Sequence, residues 1–261
     1  GLLITLEGVE GAGKTSQMKR LERWLRRQGR KVERTREPDG TRLGLAVRRL
    51  FERPGVKPEP LVEVFLFMAA RQQHVAEKIR PWLSRGRVIL CDRYADATVA
   101  YQGYGRGVDP DLIRELNVRA TSGVLPDLTL LFDLDPAEGF RRIRGRRFDH
   151  FEREALAFHR RVRRGYLEIH RAEPKRVRLV HAGRGPDESD HGDSRHPVAW
   201  AAGVGLRGAI GAGHPGGPRA GDPSGNDHKV ILPGEVTPNS SRAGVTSRAA
   251  TTSRRRSSQS G

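Results

Sequence analysis

The chain has 261 residues, 36% of them hydrophobic and 30% charged, and its 48 Lys+Arg against 31 Asp+Glu give a formal net charge of +17. This length can hold one large or two small domains with a real core. No stretch approaches ~18 uninterrupted apolar residues, so a transmembrane helix is not expected, and the single cysteine, Cys91, excludes an internal disulfide.

Leu2–Leu6 is a short apolar run of strand length, and it leads straight into Gly8-Val9-Glu10-Gly11-Ala12-Gly13-Lys14-Thr15. No basic–apolar–small signal segment is expected ahead of it. The octapeptide fits G-x-x-x-x-G-K-[ST] at every fixed position. Ser16–Leu25 follows, with Met18, Leu21 and Leu25 on one helical face. Strand, glycine loop and helix together form a phosphate-binding unit, in which backbone N–H groups and the helix dipole converge on anionic oxygens. Lys14 is placed to reach the β- and γ-phosphates of a nucleotide, and the Thr15 hydroxyl to hold Mg²⁺.

Lys31–Thr35 reads as a second strand, followed by turn residues from Arg36 to Thr41. Helices are expected over Leu43–Phe51 and about Pro60–Leu83, with Pro54-Gly55-Val56-Lys57-Pro58 between them. Arg87–Cys91 is a near-continuous apolar strand of the buried parallel kind, and its place there makes Cys91 a core residue. The strand ends in Asp92-Arg93-Tyr94. A helix around Pro110–Thr121, a strand within Pro126–Leu134, a helix from Pro136 into the basic stretch Arg141–Arg147, a long helix over Phe151–Arg171 and a last strand at Arg176–Val180 complete the pattern. Strands alternating with helices imply a parallel sheet covered on both faces.

Composition changes at about Pro186. Residues 187–261 hold 13 Gly, 10 Ser and 6 Pro, with 9 Lys+Arg and 7 Asp+Glu. The positive excess therefore lies in residues 1–186, with the phosphate loop. The later segment is expected to be disordered, because it has little apolar surface to offset its ordering entropy.

Several polar groups fall just past strand ends, the edge at which open parallel sheets bind ligands. Asp92 is positioned as a carboxylate for a Mg²⁺ water. Arg93 and Arg36 can clamp phosphates. Phe67 and Arg71, four apart on a helix, can offer a ring and a guanidinium to a base.

In this combination the chain resembles the thymidylate kinase family. The resemblance covers about residues 2–185 and rests on Thr35-Arg36-Glu37-Pro38 with Gly40-Thr41, Leu66-Phe67 with Arg71 and His74-Val75, Asp92-Arg93-Tyr94 with Ala100-Tyr101-Gln102-Gly103, and Phe158-His159 with Val162-Arg163 and Tyr166-Leu167. It implies a three-layer α/β/α P-loop fold with a central parallel sheet and a helical lid at about 141–153. It also implies phosphorylation of dTMP to dTDP by ATP with Mg²⁺ in dTTP synthesis, a homodimer, a cytoplasmic location, and neither a membrane nor a nucleic-acid partner. Carried over, Gly8 to Ser16 bind ATP and Thr15 and Asp92 hold the metal. Phe67 stacks on thymine, Arg71 hydrogen-bonds it, and Thr98 and Gln102 line its pocket. Arg36 and Arg93 hold the dTMP phosphate, Tyr101 crowds the position of a ribose 2′-OH, and Glu10 faces the sugar 3′-OH.

Family members draw a catalytic arginine either from the phosphate loop or from the lid. Gly11 occupies the loop position here, so Lys14 and Arg93 are expected to be joined by one of Arg144, Arg146 and Arg147. Four positions depart from the family pattern: Asp39 for glycine, Ala97 for serine, His150 for arginine and His181 for aspartate. No C-terminal helix is recognisable after His181. Three other readings remain open to the residues: a kinase for a different nucleoside monophosphate, a P-loop nucleic-acid-binding protein, and an inactive relic.

Overall fold

The computed structural model describes residues 1–144 and 150–182, without the side chains of residues 144 and 150–154. Five strands, β1 (Leu2–Glu7), β2 (Val32–Arg36), β3 (Val88–Asp92), β4 (Leu128–Asp133) and β5 (Val177–His181), form one sheet in the order β2-β3-β1-β4-β5. Every pairing is parallel. The expected fold class is thus the observed one.

Parallel strands need crossovers, and helices supply them. They are α1 (Lys14–Arg27), α2 (Arg42–Glu52), α3 (Pro60–His74), α4 (Arg80–Ser84), α5 (Ala95–Thr98), α6 (Pro110–Thr121), α7 (Pro136–Arg144) and α8 (His150–Ala172). Alternation along the strands explains why both faces are covered. Ile4 and Leu6 of β1 join Leu21 and Leu25 of α1 in one core, while Leu3 joins Ile89, Cys91, Val75 and Ile79 in another. Cys91 is fully buried, as its apolar strand predicts, and burial pushes its thiol pKa well up.

Two helical features differ from the sequence reading. The expected helix over Pro60–Leu83 is interrupted by a π-helical stretch at Val75–Ile79. Pro81 follows it closely and has no N–H to donate, so the ladder changes register ahead of it. The second is α5, which continues as a π-helical stretch over Val99–Gly105. Glycines and β-branched residues hide it in the sequence. Packing against α6 and α8 overrides that weak propensity.

The register aligns the strand ends that matter. Asp92 pairs with Leu6 on one side and Arg36 on the other, and Glu7 pairs with Leu131. At the end of β4, Asp133 accepts two hydrogen bonds from Arg163 of α8, at 2.7 and 2.9 Å. The arginines at 146 and 147, Asp149 and the rest of residues 145–149 in the 141–153 lid, and the 187–261 segment lie outside the described residues, as do the side chains of Arg144, His150 and Glu152.

Candidate active site

The phosphate loop follows β1 and its glycines set its shape. Gly13 caps α1 at φ 82°, and α1 has neither a side-chain cap nor an acidic residue in its first turn. Its N-terminal N–H groups are therefore not spent on a side chain, which is the condition for binding an anion there. Gly11 sits at φ 76°, and a Cβ placed on it would lie 2.6 Å from the Cα of Gly139 in α7. Conversely, a Cβ on Gly139 would strike the carbonyl of Glu10. Loop and helix meet backbone to backbone.

Lys14 folds back over this loop and donates to the carbonyls of Gly8 and Val9, each at 2.9 Å. It is buried, and that burial, reinforced by the nearby charge of Arg93, pulls its pKa down to about 7. The carboxylates of Asp92, Glu7 and Glu10 act in the opposite direction, and an anion in the loop would add to the counter-charge they supply.

A cavity of about 710 Å³ opens from the loop, lined by Glu10 through Ser16 and by Arg36, Phe67, Arg71, Asp92, Arg93, Thr98, Tyr101 and Gln102. These expected site residues come from five separate stretches of chain, yet they share one wall-to-wall space. Gly8 and Val9 do not line it; their carbonyls serve Lys14 instead. Arg142 and Ile143, at the start of the basic stretch, also reach the cavity.

Arg71 is 2% exposed and its guanidinium is enclosed. It donates to Glu37 at 2.8 Å, to the Tyr94 carbonyl and Thr98 hydroxyl at 3.0 Å each, to Asn117, and to the Met68 sulfur at 3.8 Å. Glu37 in turn meets His74 Nδ1 at 3.1 Å, and His74 Nε2 lies 2.6 Å from the Thr35 hydroxyl. The peptide bond between Glu37 and Pro38 is cis. Gln102 donates to Glu63 at 3.0 Å. Phe67 stacks on Phe51 with ring centroids 5.0 Å apart and planes 11° from parallel.

Arg93 is one of two non-glycine residues with positive φ among the described residues, at 68°. Such a conformation costs about 1–3 kcal/mol and survives only where surrounding contacts over-determine it. Its guanidinium lies 4.7 Å from the Tyr101 ring centroid and 3.7 Å from the Glu10 carboxylate. Tyr101 is flanked edge-on by Phe158, His159 and Tyr166. Its hydroxyl is turned to the Arg93 side chain, while Asp92 Oδ1 is buried without a hydrogen-bond partner among the described residues. That oxygen belongs to a residue of the cavity wall and is open to a ligand group.

Asp39 is not strained, since it lies outside the positive-φ set. It engages charge instead, 3.5 Å from Arg36 Nε and 3.2 Å from Arg48 Nη1.

The sequence reading gave no role to Phe51, Glu37, Arg48 or Glu7. Glu37 stands inside a quoted motif, so only its role was hidden. Phe51 reads as an ordinary apolar helix position. Glu7 follows an apolar strand directly, and a carboxylate there was the signal available. It is fully buried, accepting from the Tyr94 N–H at 2.7 Å and the Tyr166 hydroxyl at 2.8 Å, and burial raises its pKa to about 8.

Among the described residues no group of three or more His, Cys, Asp or Glu could hold a metal alone. Mg²⁺ does not need one, since it takes one or two protein oxygens together with substrate phosphates and water. The unpartnered Asp92 oxygen beside an uncapped helix N-terminus fits that requirement.

A family model described as Thymidylate kinase matches residues 6–191. The thymidylate kinase of Deinococcus radiodurans is 51% identical over 189 residues, covering 72% of this chain and 92% of its own. That of Solidesulfovibrio magneticus is 48% identical over 195 residues, covering 71% and 93% respectively. The crystal structure of thymidylate kinase from Ehrlichia chaffeensis superposes with a TM-score of 0.57 at 35% identity, covering 69% of this chain and 91% of that one. The phosphate loop, the shared cavity and these likenesses converge: the chain belongs to the thymidylate kinase family.

Proposed function

We propose that this chain transfers the γ-phosphoryl group of ATP to dTMP, giving dTDP. The observation that carries the reading is that the phosphate loop and the Phe67–Arg71 wall open into one cavity. A phosphoryl donor and a nucleotide acceptor can therefore meet there without leaving the protein. Phe67, backed by Phe51, offers a flat face to thymine. Arg71 reaches a base oxygen most cheaply by giving up the Met68 sulfur, a weak acceptor. Thr98 and Gln102 bound the base, and Tyr101 bounds the sugar.

Arg93 and Arg36 hold the acceptor phosphate, and Glu10 faces the 3′-hydroxyl. The loop from Gly8 to Ser16 cradles the donor phosphates, with Lys14 as the buried cation. Thr15 and Asp92 hold Mg²⁺, which neutralises charge on the phosphates when bound. Little covalent chemistry falls to the protein, which aligns the phosphates and lays positive charge along the transfer path. One of Arg144, Arg146 and Arg147 completes that charge.

The catalytic unit is assigned to residues 1–186, with 187–261 dispensable for turnover; the family match ending at residue 191 supports this. A cytoplasmic site of action belongs to the same reading and rests on the lone buried cysteine. No helix among the described residues is long and apolar enough to cross a membrane. A second copy of the chain is assigned to the exposed apolar side chains Leu61, Val62 and Phe65 of α3 and Leu112 and Val118 of α6. The nucleic-acid and relic readings gain no support from the relatives named above.

A coupled ADP-release assay across a panel of nucleoside monophosphates tests the reading. Turnover with dTMP exceeding that with every other acceptor is expected. Equal or faster turnover with another base would overturn the acceptor assignment.

A further inference from the structure

Arg93 owes its place in the cavity to a conformation that an arginine does not adopt by itself, so something must hold it. Its own N–H donates to the Leu6 carbonyl at 3.1 Å. The next N–H, that of Tyr94, donates to Glu7 Oε1 at 2.7 Å. Two consecutive amides on either side of the left-handed residue are thus tied to the last two residues of the central strand. The second oxygen of Glu7 accepts from Tyr166, in the helix that follows the basic stretch. Immediately after Glu7 comes Gly8, the start of the phosphate loop.

We propose that Glu7 is a positioning residue for phosphate binding: it clamps the Arg93–Tyr94 turn to the end of β1, so that the Arg93 guanidinium faces the cavity, and braces that clamp against α8 through Tyr166. The inference rests on the reading of Arg93 as a ligand of the dTMP phosphate. A carboxyl group suits the task because it has two oxygens to offer on opposite sides, one to a backbone amide and one to a hydroxyl. An apolar residue of the same size would bury the Tyr94 N–H without a partner and remove the restraint on Arg93. Glutamine keeps the geometry, with its carbonyl facing Tyr94 and its amide facing the Tyr166 oxygen. Sequence alone places Glu7 no nearer to Tyr94 or Tyr166 than 87 and 159 residues away.

Calorimetric titration with dTMP and with thymidine separates positioning from general support of the fold. Thymidine lacks the phosphate, so the ratio of the two dissociation constants isolates what the phosphate contributes. Arg93→Ala is expected to shrink that ratio at least tenfold, and Glu7→Ala at least fivefold. Glu7→Gln should keep it within twofold. Because Glu7 acts through Arg93, Glu7→Ala should change the ratio no further in the Arg93→Ala background. If Glu7→Ala does not fold, Glu7→Asp, whose shorter side chain cannot span both partners, should lower the ratio at least threefold. Parallel weakening of both ligands by the Glu7 variants, or an unchanged ratio while Arg93→Ala collapses it, would overturn the proposal. A ratio untouched by Arg93→Ala would instead remove the reading of Arg93, and this inference with it.

Discussion

Arg36 Nε lies 3.5 Å from Asp39 Oδ1, so one of the two arginines assigned to the acceptor phosphate already faces a carboxylate. The resemblance read in the sequence puts glycine, not aspartate, at this position. An incoming phosphate must compete with it. Arg36 is about half exposed, which keeps the pair within the ~0.2–1 kcal/mol of surface ion pairs. Asp39→Asn is therefore expected to lower the dTMP KM by about two- to fivefold with kcat unchanged, and the gain should shrink in high salt. Initial-rate kinetics at two ionic strengths check it.

Lys14→Ala should nearly abolish turnover and leave the melting temperature close to that of the parent. Burial already disfavours the Lys14 ammonium, as its lowered pKa records, so its removal takes away a charge that the empty fold does not need. Replacing Arg144, Arg146 and Arg147 together by alanine should cut kcat by at least ~10²-fold, within the range that arginines contribute to phosphoryl transfer. Near-normal kcat in the triple variant would contradict the assignment of the charge to this stretch.

The proposed function makes Tyr101 and the base wall the source of specificity. dTMP should be preferred over dUMP by roughly 10- to 200-fold, the discrimination one methyl group provides in a fitted pocket. Tyr101→Ala should admit the ribose analogue of dTMP, because it removes the ring from the cavity wall; Tyr101→Phe should not. The measurement is the ratio of kcat/KM for the two sugars. An unchanged ratio in Tyr101→Ala would remove the gate role.

Glu7 gives stability a pH dependence with a defined sign. Its folded pKa, about 8, lies above its ordinary value of 4.5, so the folded state binds the extra proton. Its contribution is then fully present below about pH 4.5 and is lost as pH rises through 8. Glu7→Gln cannot titrate. Its melting temperature should gain on that of the parent as pH rises from 6 to 8 and hold a constant offset above 9. Thermal melts across that range decide the matter, and a difference independent of pH would count against the buried, protonated carboxyl.

What the sequence made legible follows from how local each signal is. The phosphate loop and the strands at Leu2, Val88 and Leu128 announce themselves within a few residues, through glycine spacing or unbroken apolar runs. The surroundings of Arg71 do not. Its acceptors Glu37, Thr98 and Asn117 come from separate elements, and only the fold makes them neighbours. The π-helical stretch at Val99–Gly105 escaped for the opposite reason: its local preferences argue against a helix, and packing on α8 overrules them. The role of Glu7 required both partners, one of them 159 residues away.

The close approach of Gly11 to Gly139 bears on how such enzymes can change. A family that places its catalytic arginine in either the loop or the lid suggests a free exchange between the two solutions. In this chain the exchange is blocked, because the space a side chain at Gly11 would need is filled by the backbone of α7. Gly11→Arg alone should not rescue a chain stripped of its lid arginines, since the helix would first have to retreat. Any side chain at Gly11, arginine included, therefore demands a matching displacement of the α7 backbone at Gly139, so the two positions can only change as a pair.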